Sequence, residues 1–182
     1  MRAVRVAIAV FVAVVLLSVS LTVVSAHDNR GNDRGQTVWV AKLLGKFETP
    51  PHVTPAHGVA IFFVDENVVH YMIVVARISN VVMAHIHCGA PGVAGPIGVT
   101  LFMHAPAGGP FHGVLIRSSF TGPDAGNKCG WTTLADVVNA VSSGNAYVNV
   151  HTNDGSGVPN KGPGDFPGGE IRGQLRALSD DD

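Results

Sequence analysis

Every glycine and every proline in this chain, 22 and 11 of them, falls after residue 26, and between these breakers apolar residues recur at every second position. Glycine and proline set tight turns and interrupt helices, while a period of two is that of a half-buried strand. Such a chain folds as many short strands. Residues 37–44, 57–64, 68–78, 83–88, 97–103, 114–121, 147–152 and 170–177 read as those strands. Asp65-Glu66-Asn67 joins the second and third as a hairpin, and 89–96, 105–113 and 153–169 read as loops. One stretch follows a different period: Leu134, Val137, Val138 and Val141 fall at i, i+3, i+4 and i+7. Thr133 and Asp136 suit a capping box there and Gly144 suits the stop, so a short amphipathic helix is expected. The expected class is all-β, an antiparallel sandwich or partly closed Greek-key barrel with one short helix.

Three of these strands carry the same polar code. His85 and His87 share one face while Ala84 and Ile86 take the other; Tyr147, Asn149 and His151 oppose Ala146, Val148 and Val150; Glu170, Arg172 and Gln174 oppose Ile171 and Leu175. Neutral imidazole suits copper and zinc, and three converging histidines leave an open coordination position. His85, His87 and His151 are therefore candidate metal ligands, with His104 as a fourth if its loop folds back. Asn149, Glu170 and Gln174 are available to orient them, with Arg172 on the same face. The alternative is a polar network without metal, His85 bonding a loop carbonyl or Glu170, and Arg172 pairing with Glu170. Strand order decides whether the three faces meet. The 153–169 loop is long enough to fold over them as a lid, and Glu48, beside two prolines, reads as a brace for its own loop.

The N-terminus points to export. Arg2 and Arg5 precede an uncharged run over 6–24, and Val24-Ser25-Ala26 offers the small residues of a cleavage site, so residues 1–26 read as a secretory signal. A run of this length also spans a bilayer, which leaves an uncleaved anchor as the alternative and a membrane as partner only in that case. Cleavage of the 182-residue chain leaves 156 residues: a polar leader at 27–36, one domain at 37–178 and an acidic tail at 179–182. Without Arg2 and Arg5, ten Lys and Arg stand against thirteen Asp and Glu, a net charge of about -3 with no basic cluster, so nucleic acid is not an expected partner. The two cysteines of an exported chain pair by default, Cys88 with Cys129; the alternative makes Cys88 a thiolate ligand beside His87. Ser118, Ser119, Ser142 and Ser143 have no G-x-S-x-G setting, and no strand places Asp and Glu as a facing pair, so hydrolase chemistry has no support. Two functions remain: a secreted or surface module that binds an extracellular protein or surface component without catalysis, and a copper- or zinc-binding domain.

Four pieces, in this order, resemble the CHRD domain, the module named after chordin. They are Leu43-Leu44-Gly45-Lys46-Phe47-Glu48-Thr49-Pro50-Pro51, Ala84-His85-Ile86-His87 with Gly92 and Gly95-Pro96 after it, Tyr147-Val148-Asn149-Val150-His151-Thr152, and Phe166-Pro167-Gly168-Gly169-Glu170-Ile171-Arg172-Gly173-Gln174-Leu175. The resemblance implies a secreted or surface β-domain. Chordin's cysteine-rich modules have no match here, so growth-factor binding is not carried over, and Cys88 stands where a glycine is commoner. A weaker similarity runs to copper/zinc superoxide dismutase, a β-barrel with a His-x-His strand, a later third copper ligand and an arginine near its C-terminus. It implies copper on His85, His87 and His151, with Arg172 as that arginine and redox activity as the consequence. The bridging His and Asp set for zinc has no counterpart, and Cys88 is placed unlike that enzyme's disulfide cysteines.

Overall fold

The computed structural model describes residues 37–104, 109–158 and 162–178. The expected signal, leader and acidic tail lie outside the described residues. Among the described residues the strands are β1 (Thr37–Leu44), β2 (His57–Asp65), β3 (Val68–Ser79), β4 (Val81–Cys88), β5 (Ile97–Met103), β6 (Pro110–Phe120), β7 (Ala146–Thr152), β8 (Ile171–Gln174) and β9 (Arg176–Ala177), with one α-helix, α1 (Leu134–Ser142), before β7 and a 3-10 turn, Gly45–Phe47, after β1. They form one sheet in the order β5-β4-β7-β8-β1-β2-β3-β6, with β9 also on β1. All the pairings are antiparallel. The two ends of the sheet meet through Asp124, just past β6: its backbone N–H donates to the Gly98 carbonyl of β5 (2.9 Å) and its carboxylate accepts from Thr100 Oγ1 (2.6 Å). The sheet is thus nearly closed into a barrel, the second of the two expected architectures.

Alternation decides what fills it. Trp39, Ala41 and Leu43 of β1, Ala60 and Phe62 of β2, Ile73 of β3, Ala84 and Ile86 of β4, Val148 and Val150 of β7 and Ile171 of β8 are fully buried. Each larger aliphatic or aromatic side chain so placed contributes roughly 1.5–3 kcal/mol. Tyr71 of β3 reaches across to the Leu101 carbonyl of β5 (2.6 Å), which satisfies its buried hydroxyl. Helix α1 adds Val137, Ala140 and Val141 to the core. Both halves of the Thr133/Asp136 capping box are formed, and Gly144 takes a φ of 71° at the stop.

Two strands differ from expectation. The strand expected to begin at residue 114 starts at Pro110, because β6 is an edge of the sheet and a proline there forfeits no ladder bond. The final strand, expected as one run over 170–177, breaks at Leu175. Its buried side chain and its N–H, bonded to the Ala146 carbonyl (3.0 Å), hold it to the β7 side, while Arg176 and Ala177 pair with Val40 and Trp39 of β1.

Candidate metal centre

Strands β4, β7 and β8 are consecutive in the sheet. The register sets Met83 opposite His151, His85 opposite Asn149 and His87 opposite Tyr147, then Tyr147 opposite Gln174 and Asn149 opposite Arg172. Directly paired residues share a face, so the three polar faces lie side by side on the outside of the barrel. That outside is nonetheless covered, and every residue of β7 is buried. The cover is the 89–96 loop on one side and the end of the 153–169 loop on the other, as the hydrogen bonds below show.

His85, His87 and His151 come together with one ring nitrogen from each within 4.8 Å of the others, at 1, 7 and 6 % exposure. His87 donates from Nδ1–H to the Gly95 carbonyl (2.9 Å), and His151 donates from Nδ1–H to the Pro167 carbonyl (2.9 Å). A carbonyl can only accept, so both protons sit on Nδ1 and both Nε2 atoms carry lone pairs. Those two Nε2 atoms face each other at 3.4 Å. His85 Nδ1 is buried with no hydrogen-bond partner among the described residues, and burying such an atom unpaired costs about 1–3 kcal/mol. Burial drives the His85 imidazole down to about 4, its neighbours His151 and His87 adding to the effect. Burial also takes His87 down to about 4, against the pull of the Gly95 carbonyl, and lowers His151, against that of Pro167. All three are neutral at pH 7, the form that ligates metal.

The surrounding side chains hold the loops. Tyr147 lies parallel to the His87 ring (centroids 5.0 Å apart, 10°), and the Arg172 guanidinium sits 3.4 Å from the same phenol ring. The Tyr147 hydroxyl accepts from Gly95 N–H (2.9 Å), Arg172 donates to the Ala90 carbonyl (3.1 Å), and Gln174 donates to the Gly89 carbonyl (2.9 Å). A disulfide from Cys88, at the base of the same loop, to Cys129 anchors it and sets aside the thiolate-ligand alternative for Cys88. On the other side, Thr152 and Phe166 exchange hydrogen bonds, and the Phe166 ring stacks on His52 (4.1 Å, 16°).

Glu170 is fully buried and accepts from Thr54, Thr152 (2.7 Å) and the Gly164 N–H (2.9 Å). It ties loops together, so the expected Glu170–Arg172 pair and the Glu170–His85 bond are both corrected. Arg172 instead neighbours Glu48, whose carboxyl is pushed up to about 7 by burial despite that cation. Asn149 donates to Glu48 Oε2 (3.4 Å) and to the Gly168 carbonyl (3.5 Å) rather than to a histidine. The buried, titrating Glu48 is the residue that sequence reasoning undervalued, since a proline-flanked loop position carries no periodicity to mark burial.

His104 is not in the cluster. Thr100 pairs with His85 but Phe102 pairs with Ala84, so Leu101 is an extra residue that shifts the alternation of β5 by one. Beyond that bulge His104 lies with Phe102, its ring nearly parallel at 6.1 Å, in a groove with Val81, Phe111 and Leu115.

No curated protein and no solved structure matches the chain. The likeness to superoxide dismutase therefore rests on residue spacing alone. The family model for the CHRD domain matches residues 39–158, from the third residue of β1 to beyond β7 and including all three clustered histidines. That span is well over half of the 182 residues, and the chain belongs to the CHRD domain family.

Proposed function

We propose that this CHRD domain is an exported metal-binding module that holds one copper or zinc ion on His85, His87 and His151. The observation that carries the reading is the pair of facing Nε2 lone pairs on His87 and His151, 3.4 Å apart with each proton fixed on the far nitrogen. Two ligands at the usual Zn–N length of about 2.05 Å in tetrahedral geometry stand about 3.3 Å apart. Without a cation, the two lone pairs only repel. With one, they are a preformed pair of ligands, and His85 completes the set by a rotation of its ring. Three neutral imidazoles leave a fourth position open, and nitrogen donors of this kind suit copper and zinc above calcium or magnesium.

Export is supported by the disulfide, a bond characteristic of oxidising compartments, by the family, and by the uncharged run that follows Arg2 and Arg5. The second reading, a non-catalytic binding or structural module whose loops recognise an extracellular partner, is supported by family membership and does not need the histidines. Elemental analysis and titration with Cu(II) and Zn(II) separate the two, on wild type, His85→Ala/His87→Ala and His151→Ala. Stoichiometric metal that both variants lose, with circular dichroism unchanged, establishes the centre. Wild-type binding no greater than that of the variants removes it and leaves the module.

A further inference from the structure

Beside β7 in the sheet, and on the same outward face, β8, β1 and β9 line a groove of about 500 Å³. Its wall carries three cations, Lys42, Arg172 and Arg176, together with apolar Val40, Phe47 and Leu178, and no Asp or Glu of the described residues lines it. Register produces this combination. Val40 and Lys42 are alternate residues of β1 and share its outer face, and Arg176 is paired directly with Val40. Arg172 enters from β8, its guanidinium already fixed over Tyr147 and its exposure only 2 %. Phe47 and Leu178 stand at the rim, 43 and 53 % exposed, although both are large and apolar.

Three like charges around one concavity raise its potential, and low-dielectric walls focus it. The volume falls in the range of about 300–1,000 Å³ that small-molecule sites occupy. A ligand that satisfies both kinds of wall has a single negative head and an apolar body. A small inorganic anion would leave Val40, Phe47 and Leu178 wet, and a neutral apolar molecule would leave the cations uncompensated. We propose that this groove binds an amphipathic organic anion, a carboxylate on an alkyl body, with Lys42 and Arg176 beside the carboxylate and the chain lying on Val40, Phe47 and Leu178. This site shares no ligand with the histidine cluster, and its test needs no metal.

The probes are dodecanoate and dodecyltrimethylammonium, which have the same chain and opposite charge, titrated calorimetrically into the purified protein below their micelle concentrations. Dodecanoate is expected to bind at one equivalent, to shift the backbone amides of Val40 and Leu178 in NMR spectra, and to weaken with added salt. The cationic probe is expected to bind at least tenfold more weakly. Lys42→Gln/Arg176→Gln, at two exposed positions, should weaken dodecanoate about tenfold and abolish the preference for the anion. The same titration in Asp180→Asn/Asp181→Asn/Asp182→Asn removes the side-chain carboxylates of the acidic tail as competitors, and binding there should be equal or tighter. Equal affinity for the two probes, dodecanoate binding unchanged in the double variant, or no saturable binding in either the wild-type or the asparagine-tailed chain would overturn the proposal.

Discussion

His87 and His151 are held by opposite loops, Gly95 carbonyl for one ring and Pro167 carbonyl for the other, so that their Nε2 atoms meet at 3.4 Å between strands β4 and β7. Each loop fixes one tautomer. In ¹⁵N-labelled, metal-free protein at neutral pH both rings should show protonated Nδ1 and unprotonated Nε2, and Zn(II) should move the Nε2 signals while leaving both Nδ1–H protons in place. A protonated Nε2 on either ring would contradict the lone-pair arrangement.

The stability of the metal-free protein should depend on pH with two opposing contributions. His85 and His87 titrate at about 4 in the folded chain and 6.5 when exposed, and His151 is also lowered. Between those values the unfolded chain takes up protons and the folded chain does not, so stability falls as pH drops from 6.5 to 4. Each of the first two contributes on the order of 3 kcal/mol across that window. Glu48 has the opposite sign: held at about 7 against 4.5, it keeps its proton while the unfolded chain loses one, and stability falls as pH rises from 4.5 to 7. Three histidines outweigh one carboxyl, so urea midpoints should rise from pH 4 to 6.5 overall. They should rise more steeply in Glu48→Gln, and equal slopes would show that Glu48 does not titrate there.

Gly95→Ala should damage the centre from a distance. A Cβ at this position would fall 1.6 Å from the Cys88 carbonyl oxygen, so the backbone that orients His87 and donates to the Tyr147 hydroxyl has to move. A loss of about 3 kcal/mol in urea unfolding and at least tenfold in metal affinity is expected. Gly122→Ala, where nothing lies within 4 Å, is the control and should change neither.

Cys88→Ser/Cys129→Ser opens a crosslink between residues 41 apart. On the chain-entropy model the folded state should lose about 4 kcal/mol. Cys88 is also the neighbour of His87 and the base of the 89–96 loop, so zinc affinity should fall in the same variant. Unchanged affinity in a folded double variant would show that Tyr147, Arg172 and Gln174 hold the loop unaided.

Much of the barrel could be read from local pattern, because burial on one face dictates alternation and alternation is visible in single residues such as Ala84 and Ile86 against His85 and His87. The adjacency of β4, β7 and β8 could not. It brings residue 85 to residue 149 and residue 149 to residue 172, and no local periodicity encodes partners so far apart. His104 failed for a related reason: one bulge at Leu101 inverts every face beyond it, and counting in twos does not detect an inserted residue. Glu48 and Pro110 were obscured by proline, which signals the end of pairing but says nothing about burial or about an edge.

The three histidines sit on ladder strands, and the carbonyls that aim two of them sit on loops. The address of each ring and its bearing are therefore written in different parts of the chain. Substitution or insertion in 89–96 or 153–169 can turn an imidazole while its Cα stays where the core alternation put it. Two chains of this family with the same three histidines at the same strand positions can thus differ in how the rings face one another.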